Sequence, residues 1–377
     1  MWQIKLLNSK IVIDNIKSVC FIFCYIYQPI TRIFEMIEKV TIYDIAKKLD
    51  ITAATVSRAL NNNPKISPAT KQLVLDTAAK MNYKQNKLAQ ALRSGKSNNV
   101  GVIVPRIDSN FFGSVIRGIE EELYPEGYHV IICQTHEDEK REIENINTLI
   151  NAQVDGILMS ISNTTKENEL VIKRVLNKNI PLVFFDRKLN IDGVSSVTIN
   201  DFEGGYIAAK HLIEEGCTKI AHLAGDETLE IYQNRYKGYK QALLDHNIPF
   251  QKEYVLRTKS NVEAGINAAK TLLSQKVPPD AIFSSSDFAG LGAIQELKQQ
   301  GIAIPADFCV VGFGNEPFTK FMELSISSID QSPMEMGKMA AKVFLEQINN
   351  TDNLKIEKKV VLVPELLTRK SSNRRSK

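Results

Sequence analysis

Along residues 100–313, short apolar runs alternate with longer amphipathic stretches, and this rhythm restricts the fold more than any other feature. Val100-Gly101-Val102-Ile103-Val104-Pro105 precedes a helical pattern near 112–124. His129–Cys133 precedes one near 139–152, and Gly156–Ser160 one at 170–177, before the run Pro181–Phe185. Such runs read as strands buried on both faces. Strands that alternate with helices build βα units on a parallel sheet with both faces covered. The rhythm restarts at Lys219–Leu223, then at Ala281–Ser284 and Cys309–Phe313. Two such halves predict two lobes with a cleft between them, and ligands of open α/β sheets sit beyond the carboxyl ends of the strands. The 377 residues also exceed the roughly 250–300 at which a single core stops growing.

Charge is unevenly spread. Residues 36–98 carry eleven Lys and Arg against four Asp and Glu, whereas 99–377 is net negative although the whole chain is +4. A small basic module on an acidic body fits an anionic polymer as partner, and equally a solvated basic face.

Within that module, Thr41 precedes the apolar positions Ile42, Ile45, Ala46 and Leu49, which share one helical face, and Asp44 stands where a capping box needs it. Asp50-Ile51 breaks this helix and Thr52 caps a second. The second helix should bury Val56, Ala59 and Leu60 and present Ala53, Ala54, Ser57 and Arg58. Small and hydroxyl side chains at a helix N-terminus approach base edges closely, and an arginine can reach guanine or phosphate. Ser67-Pro68 opens a third helix running to about Met81. Shape alone would also fit a generic three-helix bundle.

The residue strings decide between these. Val40-Thr41-Ile42-Tyr43-Asp44-Ile45-Ala46, then Thr55-Val56-Ser57-Arg58-Ala59-Leu60-Asn61, then Met81-Asn82-Tyr83-Lys84-Gln85-Asn86, resemble the headpiece of the lactose/galactose repressor (LacI/GalR) family. The resemblance implies operator double-stranded DNA as partner, met by Tyr43, Thr52, Ala53, Ala54, Thr55, Ser57, Arg58, Asn61 and Tyr83. It makes Asn86–Arg93 a hinge helix that orders on DNA. Asn86, Lys87 and Ala89 would then face the minor groove, with Leu92 wedged into the central base step. Further strings, Val183–Arg187, Asn200–Gly205, Arg235–Tyr239 and Ser286-Asp287, look like the family's core, which has the fold of periplasmic sugar-binding proteins. Ser327–Gln331 looks like the strand crossing back between lobes. The fold expected is thus an all-α helix-turn-helix headpiece with a two-lobed, periplasmic-binding-protein-like α/β core of parallel sheets.

The polar and aromatic residues at the strand ends are the effector candidates: Phe111, Phe112, Ser160, Asp186, Arg187, Arg235, Ser286, Asp287, Asn315 and Gln331. Carboxylates and amides pair with hydroxyls, arginine donates in a fixed fork, and aromatic rings cover the apolar face of a sugar. Each also has a purely structural reading, such as a turn cap or a local ion pair. Where the family commonly carries an acid after Val-Gly-Phe/Tyr, this chain has Gly314, so its effector or the pose of that effector should differ. Catalysis has no support: GxSxG, HExxH and GxxxxGK[ST] patterns do not occur, the five histidines are scattered, and neither cofactor nor metal is implied.

The expected organisation is an extension over 1–35, a headpiece over 36–85, a hinge and linker over 86–98, a core over 99–371, and a basic tail over 372–377. One lobe would combine 99–198 with 330–358, the other 199–329 with 359–371. The apolar run Val19–Tyr27 is too short to span a bilayer, which takes about 20 residues. The extension reads as dispensable or as a misassigned start before Met36, and alternatively as a targeting signal or membrane tether. Five cysteines without a CxxC pair form no disulfide framework, which fits a reducing cytoplasm. Two other functions stay open: a secreted or tethered sugar-binding protein, and a regulator that answers to a protein co-regulator. The leading expectation is a homodimeric, effector-controlled regulator, with no membrane association, acting on a near-palindromic operator.

Overall fold

The computed structural model describes residues 40–84, 95–162, 168–350 and 357–374. The extension, the hinge residues Asn86, Lys87, Ala89 and Leu92, and Cys20 and Cys24 lie outside the described residues. The chain divides into two compact units, one ending at Ala89 and the other beginning at Gln90.

In the first unit, helices α1 (Ile42–Leu49), α2 (Ala53–Leu60) and α3 (Pro68–Lys80) enclose a small core of Ile45, Ala46, Val56, Ala59, Val74 and Ala78. Each helix starts where its sequence provides a hydrogen-bonding side chain. The Asp44 carboxylate accepts from the Thr41 backbone N–H at 2.8 Å and from its hydroxyl at 2.7 Å. The Thr52 hydroxyl accepts from the Thr55 N–H at 3.1 Å, and the Ser67 hydroxyl from the Thr70 N–H at 3.2 Å. Caps of this kind contribute about 1 kcal/mol each, which matters for helices of two or three turns. Asp50 ends α1 in the left-handed region at φ 53°, its N–H on the Ala46 carbonyl.

The second unit holds two six-stranded sheets. The first takes β1 (Asn99–Val104), β2 (His129–Gln134), β3 (Gly156–Met159), β4 (Leu182–Phe185), β5 (Ser195–Ile199) and β11 (Lys359–Leu362), in the order β11-β5-β4-β3-β1-β2. All its pairings are parallel. Helices α4 (Asn110–Leu123), α5 (Glu139–Asn151), α6 (Asn168–Asn177) and α12 (Pro333–Ile348) accompany it. The second sheet takes β6 (Ile220–Ala224), β7 (Val255–Arg257), β8 (Ala281–Ser284), β9 (Cys309–Phe313), β10 (Ser327–Asp330) and β12 (Glu365–Leu367), in the order β12-β10-β9-β8-β6-β7. Only β12 runs antiparallel to its neighbour there. Its helices are α7 (Asp201–Glu214), α8 (Glu230–Asp245), α9 (Val262–Leu273), α10 (Asp287–Gln299) and the single turn α11 (Phe318–Phe321).

The chain passes between lobes three times: at Asn200, at Gln331–Ser332, and at Val363–Pro364. The third passage corrects the expected boundary. Lys359–Leu362 pairs with β5 in register with Ser196–Ile199, so it belongs to the first lobe. Residue 330 likewise stays in the second sheet, opposite Glu365, and β10 itself does not cross; the crossing follows it. The tail is also shorter than expected. Ser372 is fully buried in the second lobe, its hydroxyl 2.7 Å from His211 Nε2 and 2.6 Å from the Ser327 hydroxyl. Serine and arginine at a chain end read as a solvated tail, but here they satisfy buried polar groups.

Two glycines set the approach of α7 to α8. A Cβ on Gly205 would collide with the Arg235 backbone, and one on Gly238 with the Phe202 carbonyl. Gly205→Ala should therefore cost about 1–3 kcal/mol by overpacking, read as a lower urea midpoint with an unchanged slope.

Inside the second lobe, His222 stacks on Phe283 and Tyr239 with centroids 4.7 and 5.0 Å apart, and Nδ1 lies 3.1 Å from the Phe283 carbonyl. Complete burial pushes the imidazole pKa down to about 3. The unfolded chain therefore binds this proton first, near its ordinary value of about 6.5, and stability falls as pH drops from there towards 3. Removing the imidazole removes that dependence. Between pH 7.5 and pH 5, the stability difference should move by about 2 kcal/mol in favour of His222→Phe, measured by denaturant titration at both values.

Candidate functional site

In the headpiece, α2 carries the residues expected at DNA. Ala54 and Arg58 are exposed, as are Thr52 and Asn61 at the helix ends; Thr55 and Ser57 are half-buried. Tyr43 is 71% exposed on α1. The polar ends are preorganised: Thr52 and Thr55 hydroxyls lie 2.9 Å apart, and the Asn61 side-chain amide donates to the Ser57 carbonyl at 2.7 Å. Ala53 departs from expectation. It is half-buried and, like Ile42 and Leu49, packs against the headpiece core. Tyr83 packs against the same core, and burial raises its phenol pKa.

In the core, a cavity of about 190 Å³ opens between the lobes. The first lobe contributes Ser162, Asp186, Arg187 and Lys188, and the second Asp201, Leu229, Glu230 and Asn234. Asp186 stands just past the carboxyl end of β4 in a left-handed conformation at φ 60°. The Ser160 hydroxyl donates to its carboxylate at 3.2 Å, and Arg187 Nε lies 3.6 Å away. Burial raises the Asp186 pKa, opposed by Arg187 and by Arg235. Arg187 Nη1 reaches both oxygens of Glu137, at 3.0 and 2.9 Å. Glu137 and His136 are consecutive left-handed residues, at φ 60° and 56°. Non-glycine residues there cost on the order of 1 kcal/mol each, so the loop after β2 holds strain while it aims Glu137 at Arg187.

Arg235 is the hub of the second lobe. Its Nε donates to Asp201 at 2.8 Å, Nη1 to the Ser285 carbonyl at 3.1 Å, and Nη2 to Gln331 Oε1 at 3.2 Å. The guanidinium also lies over the Phe313 ring, 3.6 Å from its centroid. Burial pushes the Asp201 carboxyl up to about 6, against the pull of Arg235. Asp287, fully buried, is likewise pushed up to about 6, while accepting from the Glu316 N–H at 2.8 Å and the Ser328 hydroxyl at 2.7 Å. Desolvation also raises the neighbouring Glu316, to about 7. Asn315 accepts from Arg369 at 2.7 Å and donates to Asp330 at 3.2 Å. Gly314 separates the two halves of this layer. A Cβ there would sit 3.4 Å from Asp287 Oδ2 and 3.9 Å from Gln331 Nε2, but its φ of 126° suits only glycine.

Asp186 and Arg187 thus line the cleft, while Ser160, hydrogen-bonded to Asp186, and Gln331, hydrogen-bonded to Arg235, are buried outside its lining, and Asp287 and Asn315 lie in the polar layer beside Gly314. Phe111 and Phe112 do not line the cavity. Both are buried in the first lobe's apolar cluster, ring centroids 5.1 Å apart, because the first turn of α4 faces the sheet. Ser286 is engaged in its own turn, its carbonyl accepting from the Ser284 hydroxyl at 2.7 Å. The neighbouring Ser285 instead touches Arg235, and its own buried hydroxyl has no hydrogen-bond partner among the described residues. Reading strand ends missed Asp201, Glu137 and Ser285. Asp201 follows the carboxyl end of β5, so the same rule could have found it; Glu137 lies in a loop whose backbone strain has no sequence signature. Among the described residues, no cluster of His, Cys, Asp and Glu could hold a metal, and no helix is long and apolar enough to cross a membrane.

The model of bacterial regulatory proteins of the lacI family matches residues 41–86, and that of the periplasmic binding protein-like domain matches 209–372. The HTH-type transcriptional regulator DegA of Bacillus subtilis is 32% identical over 335 residues, covering 89% of this chain and 98% of its own length. Catabolite control protein A of Priestia megaterium is 31% identical over 82% of this chain and 93% of its own. Among solved structures, the CelR–cellobiose complex aligns at a TM-score of 0.67 and 25% identity, covering 88% of this chain and all of that one. A lac repressor dimer aligns at 0.79 and 20% identity, over 89% and 99% of the two chains, and so shares the fold. A helix-turn-helix with an exposed, capped second helix, followed by a two-lobed core with a polar cleft, therefore belongs to the LacI family of DNA-binding transcriptional regulators.

Proposed function

We propose that this chain is a cytoplasmic repressor of carbohydrate-utilisation genes, released from or brought to its operator by an uncharged sugar held in the cleft. The charge balance of the cavity carries this reading. Its cations already face carboxylates: Arg187 faces Glu137 and Asp186, Lys188 faces Glu230, and Arg235 beneath them faces Asp201. A phosphorylated effector would have to displace one of these acids, whereas hydroxyl groups can add to the carboxylate and guanidinium lone pairs and donors already in place. The relative solved with cellobiose supports a sugar of this kind. The effector residues are Ser160, Asp186, Arg187, Arg235, Ser286, Asp287, Asn315 and Gln331, joined by Asp201 and Ser285.

On DNA, α2 is assigned to the major groove through Ala54, Thr55, Ser57 and Arg58, and the segment Asn86–Arg93 to the minor groove with Leu92 as wedge. The chain acts as a homodimer, as the lac repressor solved with operator does. The apolar surface of the second lobe fits this: Phe321 and Phe288 are both exposed, and the Phe288 ring lies 5.1 Å from that of Phe318. Two-fold symmetry then requires a near-palindromic operator.

Selection of bound sequences from random duplexes should return a near-palindrome, bound more weakly as salt rises. A pool without two-fold symmetry would remove the dimeric reading. Arg58→Ala should weaken that operator by about 1–3 kcal/mol in fluorescence anisotropy, with less effect on unrelated DNA. For the cleft, calorimetry of the full chain against neutral and phosphorylated sugars should find a neutral binder, and Asp186→Asn should weaken it at least tenfold, about 1.4 kcal/mol. Binding confined to phosphorylated sugars would contradict the charge argument. No binder at all would favour a protein co-regulator.

A further inference from the structure

One contact at the cleft has no part in holding either lobe together. Lys188 Nζ, in the first lobe, lies 3.6 Å from Glu230 Oε2, in the second. Both side chains line the cavity, together with Thr198, Ile199 and Asp201 at one of the passages between lobes. The cavity therefore has a hinge on one wall and an ion pair on another.

Each partner is held in place by its own loop. Lys188 stands in the segment after β4, where its ammonium also donates to the Asn190 side chain. Glu230 is the first residue of α8, so the positive end of the helix dipole steadies its carboxylate. The turn leading to it is tied by Asp226, which accepts from the Thr228 N–H at 2.9 Å and hydroxyl at 2.8 Å. Flanking Leu229 and Ile231 are buried, 5% and 8% exposed, which leaves little freedom for the turn to swing without the lobe.

We propose that Lys188 and Glu230 form an electrostatic latch that closes the two lobes across the cleft before any effector is present. The proposal rests on reading the cleft as the effector site, and it adds the element that sets effector sensitivity. A ligand shifts a two-state equilibrium only by its differential affinity for the states. Closure supplied by the protein itself therefore reduces the shift an effector must provide, and makes entry wait on opening of the pair. Lys188 is 22% exposed and Glu230 50%, so water and salt screen the attraction and the bias is a few-fold rather than absolute.

The test uses the full chain without ligand. Spin labels are attached through azide-bearing residues at Lys178 and Leu244, exposed on the first and second lobes, and interlobe distances are measured by pulsed electron resonance. Glu230→Lys, which sets two ammonium groups face to face, should raise the open-to-closed ratio roughly three- to tenfold. Glu230→Gln should raise it about twofold, and 1 M salt should move the parent protein to a similar degree. The exchanged pair, K188E with E230K, should return the distribution to that of the parent. Identical distributions in the parent, Glu230→Gln and Glu230→Lys proteins would overturn the latch. So would an exchanged pair that stays as open as Glu230→Lys alone. These distances need no sugar, so a failed latch and a cleft that binds no carbohydrate give separate results.

Discussion

The interaction on which the core depends is the buried fork of Arg235. Its three nitrogens meet Asp201 at the start of α7, the Ser285 carbonyl past β8, and Gln331 just past β10. Asp201 follows the first passage between lobes and Gln331 begins the second. One guanidinium therefore ties two interlobe passages to the sheet that forms the cleft floor. A charge so deeply buried survives only when its donors are satisfied, and removing a single partner would leave an uncompensated ion in a low dielectric. The glycine contacts between α7 and α8 serve the same end, since they let the helix carrying Arg235 approach the helix carrying Asp201.

Around this fork the cleft is made of opposed charges rather than of one sign. Asp186 in the first lobe is influenced by Arg235 of the second, and Asp201 by Asp186. Several acids here have pKa values raised by burial, Asp201 and Asp287 to about 6 and Glu316 to about 7. Asp201 and Asp287 are nonetheless used as acceptors, Asp201 from Arg235 and Asp287 from the Glu316 N–H and the Ser328 hydroxyl, so their donors offset part of the cost of burial.

Much of this was legible in the sequence, and the gaps have physical causes. The βα rhythm gave both sheets because buried parallel strands are continuous apolar runs. The headpiece helices were readable because Thr41, Thr52 and Ser67 are caps with short-range chemistry. Strand-end position picked out Ser160 with Asp186 and Arg235 with Gln331, pairs that the structure joins by hydrogen bonds. It also picked out Phe111 and Phe112, which sit in the first lobe's apolar cluster, because a helix that follows a strand can turn its first aromatic pair into the core as easily as into the cleft. At Ser285 and Ser286, one residue of register decides which of the two serines meets Arg235. The lobe boundary near β11 was missed because that strand is half exposed and is held by backbone pairing with β5, which leaves no periodic mark. Glu137 was invisible because two successive left-handed residues place it.

The three passages between lobes bear on how the protein is made. The first lobe begins at β1, but α12, whose Met336, Ala340, Ala341 and Phe344 belong to that lobe's main apolar cluster, comes after the whole sheet of the second lobe except β12. On a ribosome the first five strands therefore emerge long before the helix that covers one of their faces. That face is covered only by α4 while some 130 residues are added, which matches the span from Asn200 to Ser332. The second lobe completes most of its sheet first, and the return of α12 and β11 then seals the first. The cleft is in this sense the last part of the molecule to exist, and the nascent chain passes through a stage that exposes the part of an apolar sheet later covered by α12 to chaperones or to its neighbours.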